Sequence, residues 1–177
     1  MNNLDKILIF DYGSQYTQLI ARRIRELNVY SEICSHKISL DELTDKSPKA
    51  IILSGGPMSV YDNDAYQLNK QIFELNIPIL GVCYGMQLLT EYFGAHVIKS
   101  DVREYGHVNI NIKDSSTIFK GIDKSISVWM SHGDAIESFD EDWNALALSN
   151  NNILAAIKHK NKDYYGVQFH PEVVHTK

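Results

Sequence analysis

Cysteine is scarce in this sequence: Cys34 and Cys83 are the two in 177 residues. Two cysteines make no disulfide scaffold, and without a CxxC pair they do not form a structural zinc site of the usual spacing. No stretch approaches the roughly twenty apolar residues that span a bilayer. The apolar run near the start, Ile7 to Phe10, is too short for a signal-peptide core, and Asp11 ends it. Positive charge is also in deficit: 17 Lys and Arg against 22 Asp and Glu leave a net charge of -5. Such a surface has no general attraction for nucleic acid or for an anionic membrane, so neither is expected as a partner. No G-x-G-x-x-G follows the first apolar run, which removes a dinucleotide fingerprint. No G-x-x-x-x-G-K-[ST] occurs, which removes a P-loop for ATP. Internal repeats, low-complexity tracts and linkers are missing as well. These absences lead to the expectation of a soluble, cytoplasmic protein.

What is present is a core. Hydrophobic residues make up 44% and charged residues 22%, which fits one globular domain over residues 1–177. Lys6–Phe10, Val29–Cys34, Ala50–Leu53 and Ile77–Val82 are short apolar runs of the kind that form strands covered on both faces. Between them, Tyr16, Leu19, Ile20, Ile24 and Leu27 recur at helical spacing. Ala65, Leu68, Ile72 and Leu75 predict a second helix capped by Asp62 or Asn63, and Met86–Phe93 a third, stopped by Gly94. This alternation predicts an α/β fold with a mostly parallel central sheet and flanking helices. In the second half, Val108, Ile110 and Ile112 alternate, as do Ile126, Val128 and Met130, with further strands expected at Leu146–Leu148, Ile153–Ile157 and Tyr164–Phe169. Alternation with short turns predicts an added antiparallel ribbon, its last strands returning to the main sheet.

The chemistry concentrates at Gly81-Val82-Cys83-Tyr84-Gly85, which follows an apolar strand and opens a helix. That is the frame of a nucleophile elbow, with cysteine in place of serine. The small flanking residues allow a tight turn. The sulfur then projects at the carboxyl end of the sheet, where the helix N-terminus favours thiolate. A cysteine at a strand end is often only a small buried hydrophobe; the two glycines and the strand–turn–helix frame favour the nucleophile. Cys34 lacks that frame and reads as structural. A thiolate nucleophile needs a base and the base an orienting group. Of seven histidines, His170 stands out in Gly166-Val167-Gln168-Phe169-His170-Pro171-Glu172, at a strand end with a carboxylate two residues on. By itself this could be an exposed loop pair; with a cysteine elbow it completes a candidate triad. Ser54-Gly55-Gly56-Pro57 closes the third strand as either a simple turn or a donor of backbone N–H groups from Gly56. His170 and His175 are not spaced as H-E-x-x-H, and Pro171 disfavours a helix presenting both, so no metal is expected. Arg22-Arg23-Ile24-Arg25 reads equally as a docking patch and as a solvated helix face.

The cysteine elbow, the distant His-Pro-Glu and the glycine-rich turn occur here in an order that resembles the class I glutamine amidotransferases, across essentially the whole chain. The resemblance implies a flavodoxin-like fold and an enzyme that hydrolyses glutamine. It implies Cys83 as nucleophile, His170 as acid and base, Glu172 as its orienting carboxylate, and oxyanion N–H groups from Gly56 and Tyr84. It also implies substrate contacts from Gln87 and from Ser131, His132 and Gly133. Within the family, Phe10–Arg23, Val128–Asp134 and Phe169–Thr176 resemble the members that pass ammonia to an ATP-dependent synthetase unit, which aminates XMP to GMP. On that resemblance this domain needs no cofactor of its own, ATP and Mg belonging to the synthetase unit. The family continues past this point into a last helix, so the chain is expected to be a piece lacking that helix and the synthetase unit. Three other readings stay open: a partner of a different synthase, a glutamine-binding module without turnover, and a cysteine hydrolase on the same scaffold.

Overall fold

A computed structural model of the chain describes residues 5–176. Its elements run β1 (Lys6–Asp11), α1 (Thr17–Glu26), β2 (Tyr30–Ser35), α2 (Leu40–Lys46), β3 (Ala50–Leu53), a 3-10 helix (Lys70–Leu75), β4 (Ile79–Val82) and α3 (Tyr84–Tyr92). Five strands follow: β5 (His96–Ile112), β6 (Ser125–Ser138), β7 (Trp143–Ser149), β8 (Leu154–His159) and β9 (Tyr164–Val167). They join one sheet in the order β2-β1-β3-β4-β9-β8-β7-β5-β6. From β2 to β9 every neighbour is parallel; from β9 to β6 every neighbour is antiparallel. The fold is therefore α/β as expected, but the sheet is mixed rather than mostly parallel. The ribbon is no appendage. It continues the main sheet through β9, which pairs parallel to β4 on one side and antiparallel to β8 on the other.

Two apolar clusters cover the two faces. Leu8, Phe10, Ile51 and Leu53 pack under α2, the 3-10 helix and α3 through Leu43, Ile72, Met86 and Leu89. Ile9 and Ile52 point the other way, onto Ile20, Ala21 and Ile24 of α1. Burial on both faces explains why these strands read as unbroken apolar runs.

Two helical expectations change. The helix expected over residues 65–75 shrinks to the 3-10 helix, whose start is capped by the Asn69 side chain accepting from the Gln71 N–H at 3.1 Å, not by Asp62 or Asn63. Tyr66 instead packs its ring against His36 and Tyr12, at centroid distances of 4.7 and 5.9 Å, so tertiary contacts hold this segment in an irregular path. Conversely, α2 was not expected. Its signal is a short one, Ser39 capping the Glu42 N–H at 3.3 Å, with Leu43 its one buried residue.

Candidate active site

The elbow forms where β4 runs into α3. Cys83 adopts φ +52°, ψ -110°, a conformation L-residues rarely take and one that costs on the order of 1–3 kcal/mol. The flanking glycines are there for space. A Cβ on Gly81 would lie 2.5 Å from the Gly85 carbonyl oxygen, and one on Gly85 would lie 2.3 Å from that of Leu53. The turn is thus closed against β3 by backbone that no side chain can separate. The Cys83 N–H donates to the Val167 carbonyl at 2.8 Å, which ties the nucleophile to the end of β9. Gln168, the next residue, donates from Nε2 to Cys83 Sγ at 3.5 Å.

The strand expected over Tyr164–Phe169 ends at Val167, because the chain then bends toward the sulfur. The His170 N–H donates to the Trp129 carbonyl of β6 at 3.0 Å. Thr176 Oγ1 donates to the His170 carbonyl at 2.6 Å and accepts from the Trp129 N–H at 3.0 Å. This double pin fixes the Pro171 turn and aims both side chains inward. His170 Nδ1 stands 2.9 Å from Glu172 Oε1, with both residues buried. The exposed loop pair is thereby ruled out. A carboxylate only accepts, so Nδ1 carries the proton and Nε2 is left for the cleft. Burial alone would pull the imidazole down, yet the Cys83 sulfur and the Glu172 carboxylate outweigh it and push it up to about 10. The site favours an imidazolium beside the cysteine at neutral pH.

Cys83, Tyr84, Gly56 and His170 line one cleft of about 590 Å3, together with Gln87, Ser131, His132 and Gly133. The cleft lies at the carboxyl ends of the parallel strands, where α/β sheets place ligands. Every site residue singled out from the sequence is present at it except Glu172, which sits behind His170. Gly56 is enclosed: a Cβ there would meet the Tyr12 carbonyl oxygen at 2.8 Å and the Tyr84 ring at 3.0 Å. Gln87 is buried and donates from Nε2 to Gln168 Oε1 at 3.1 Å, so it braces the residue that contacts the sulfur as well as lining the cleft.

Sequence reasoning missed several residues here. Gln168 stands inside the Gly166–Glu172 segment, but its residue type carried no signal of its own. Asp134 accepts hydrogen bonds from Ser59 and from Tyr61 Oη, the latter at 2.7 Å, and so joins β6 to the irregular segment after β3. Glu104 is buried against His132 in a charged stretch that gave no strand pattern. Lys99, Arg103 and Tyr105 add a polar and aromatic wall. The arginine cluster is engaged within the chain: Arg22 and Arg23 pair with Glu26, Arg23 Nε donates to the Glu172 carbonyl at 2.9 Å, and Arg25 donates to that of Ser31 at 2.8 Å. One of these bonds supports the His170–Glu172 turn from α1.

Comparison with known proteins agrees with this geometry. Residues 8–177 match the family described as glutamine amidotransferase class-I. The GMP synthase [glutamine-hydrolyzing] of Brachyspira hyodysenteriae is 56% identical over 99% of this chain and 34% of its own length. That of Campylobacter lari is 50% identical over 97% of this chain, again 34% of its own. The chain thus spans about a third of the length of the curated relatives it matches. Among solved structures, a Thermoplasma acidophilum protein described as a GMP synthase subunit is 34% identical with a TM-score of 0.89, covering 98% of this chain and 87% of that one. A glutamine amidotransferase of Thermotoga maritima, 22% identical with a TM-score of 0.76 over 98% of this chain and 78% of its own, shares the fold. The chain belongs to the class-I glutamine amidotransferases.

Proposed function

We propose that this chain hydrolyses glutamine to glutamate and ammonia, and that the ammonia passes to an ATP-dependent synthetase unit that aminates XMP to GMP. The single observation that carries the first half is the convergence of sulfur and imidazole at one cleft, with the carboxylate directly behind the imidazole. Cys83 reaches the cleft from the β4–α3 turn and His170 from the turn after β9, which also places Glu172 against His170 Nδ1. The second half is supported by the names of the relatives, which pair glutamine hydrolysis with GMP synthesis.

In this reading Cys83 thiolate attacks the side-chain amide carbon of glutamine. The oxyanion forms beside the backbone N–H groups of Gly56 and Tyr84. Tyr84 opens α3, so its N–H has no partner within the helix and is free to donate. One such donor is worth about 3 kcal/mol of barrier. His170, already cationic, protonates the departing ammonia, and a γ-glutamyl thioester remains on Cys83. Neutral His170 then takes a proton from water, whose oxygen attacks the thioester; glutamate leaves and the thiolate–imidazolium pair returns. Glu172 keeps the Nδ1 proton in place and stabilises the cation throughout. Ser131, His132 and Gly133 grip the amino-acid end, and Gln87 contacts the substrate from α3.

The order β2-β1-β3-β4-β9 supports a flavodoxin-like description of the parallel half. The 177 residues are read as the amidotransferase unit, working beside a synthetase unit that is either fused to it or carried by a second polypeptide. Cytoplasmic location is part of this proposal; among the described residues no helix is long and apolar enough to cross a membrane. The test is ammonia release from glutamine, with and without an added synthetase unit and its nucleotide substrates. Release from glutamine, coupled to GMP formation only when the synthetase is present, is expected. Release from peptide amides instead would point to a hydrolase, and failure to couple would point to another synthase.

A further inference from the structure

On β6, His132 lies inside the segment read as the substrate grip, yet its ring is directed away into the protein. Its Nδ1 stands 2.8 Å from the Asp134 carbonyl oxygen. A carbonyl only accepts, so Nδ1 bears a proton. Its Nε2 stands 3.3 Å from Glu104 Oε2, within ion-pair distance but off the line of a hydrogen bond, so both atoms are buried with no other partner. A carboxylate also only accepts, so this approach is attractive only if Nε2 bears a proton too. Both side chains are nearly sealed from solvent, at 2% and 1% exposure. A neutral ring would set an imidazole lone pair against a buried carboxylate, an arrangement that low dielectric makes costly.

The carboxylate is itself anchored. Asn151 Nδ2 donates to Glu104 Oε1 at 3.0 Å from the turn between β7 and β8. Burial would raise the Glu104 carboxyl, but the His132, Ser149 and Asn151 side chains beside it hold it below the usual carboxylate value. Glu104 follows an irregularity in β5, where the register shifts between Lys99 and Glu104 before Glu104 pairs with His132. Such breaks re-aim side chains, here turning a carboxylate inward against His132.

We infer that Glu104 is a positioning residue for substrate binding: it holds His132 as a buried imidazolium, and that pair fixes the backbone of Ser131, His132 and Gly133 on which the amino-acid end of glutamine rests. The inference rests on the reading of the cleft as a glutamine site. It concerns binding and not the chemical step, since Glu104 touches neither Cys83 nor His170. Charged or titratable groups lining the cleft beside this segment include Asp134 on β6, Lys99, Arg103 and Tyr105 on β5, Tyr61 and Asp62 after β3, and Cys83, His170, Tyr16 and Tyr84 across it. None replaces Glu104 behind the ring.

The experiment compares wild type with Glu104→Gln, in the protein together with its synthetase unit. The variant should raise KM for glutamine roughly tenfold, the low end for loss of an orienting partner, with kcat changed less than about twofold. Alkylation of Cys83 by iodoacetamide, which has no amino-acid end, should keep its rate. In wild type, nitrogen NMR of the His132 ring should show both nitrogens protonated at neutral pH. Equal losses in kcat, KM and iodoacetamide rate would overturn the inference in favour of a merely structural role. An unchanged KM, or a neutral His132 ring in wild type, would overturn it outright. The ring measurement needs no variant, so it decides the matter even if Glu104→Gln does not fold. A wild-type protein that neither binds nor hydrolyses glutamine would instead refute the functional reading.

Discussion

Replacing Glu172 with Gln removes one charge from the buried pair while leaving an oxygen that can accept from His170 Nδ1. The geometry at 2.9 Å can survive, so the change isolates electrostatics. The imidazole rises from its ordinary 6.5 to about 10 against the opposing effect of burial. At about 1.4 kcal/mol per pH unit, that is on the order of 5 kcal/mol in favour of the cation, shared between Cys83 and Glu172. Losing the carboxylate's share, roughly 2 kcal/mol, lowers the ring by about 1.5 pH units, so at neutral pH it stays cationic but the positive charge is less well stabilised as it forms and moves its proton in the reaction. A barrier rise of that size is about a 30-fold loss in kcat. The alkaline limb of the pH–rate profile should also move to lower pH, since the group that must stay protonated now deprotonates earlier. Ammonia release followed across the neutral to alkaline range measures both. His170→Ala should do more damage, because it removes the proton carrier itself. An unmoved alkaline limb in Glu172→Gln, or losses equal to those of His170→Ala, would refute this division of roles.

Cys83 holds φ +52°, so Cys83→Gly should unfold in urea with about 1 kcal/mol more stability than Cys83→Ala, both being inactive. Gly85→Ala puts a Cβ 2.3 Å from the Leu53 carbonyl oxygen; it should lose more than about 3 kcal/mol or fail to express in folded form, as followed by circular dichroism. The raised His170 adds stability in full below about 6.5, and that increment fades as pH climbs toward about 10. The melting temperature of wild type should therefore fall over that window more steeply than that of His170→Asn. Ser39→Ala removes the cap of α2 and should cost about 1 kcal/mol in thermal unfolding without altering glutamine turnover.

The elbow was legible because its chemistry and its sterics demand the same residues: only glycine at 81 and 85 is small enough for the turn that exposes Cys83. The His170–Glu172 turn was legible because Pro171 forces it. The buried strands were legible because burial on both faces leaves no polar positions. Where polar residues dominate, the pattern failed. β5 extends back to His96 through charged residues from Lys99 to Glu104, and β6 runs on to Ser138 beyond its apolar alternation. Both are held by pairing with each other, which single-strand periodicity does not reveal. Helical spacing over residues 65–75 misled for the opposite reason, since Leu68 and Ile72 reach the core from an irregular path. Gln168 and Glu104 act through partners 85 and 28 positions away, Cys83 and His132, and no local rule points to such pairs.

The central claim is that Cys83 carries the γ-glutamyl group. Mass spectrometry after rapid acid quenching of a glutamine reaction tests it most directly. The account predicts a transient mass increase of one glutamyl group on the peptide containing Cys83, absent in Cys83→Ala, which also releases no ammonia. Ammonia release by Cys83→Ala at the wild-type rate, or an adduct on any other residue, would contradict it.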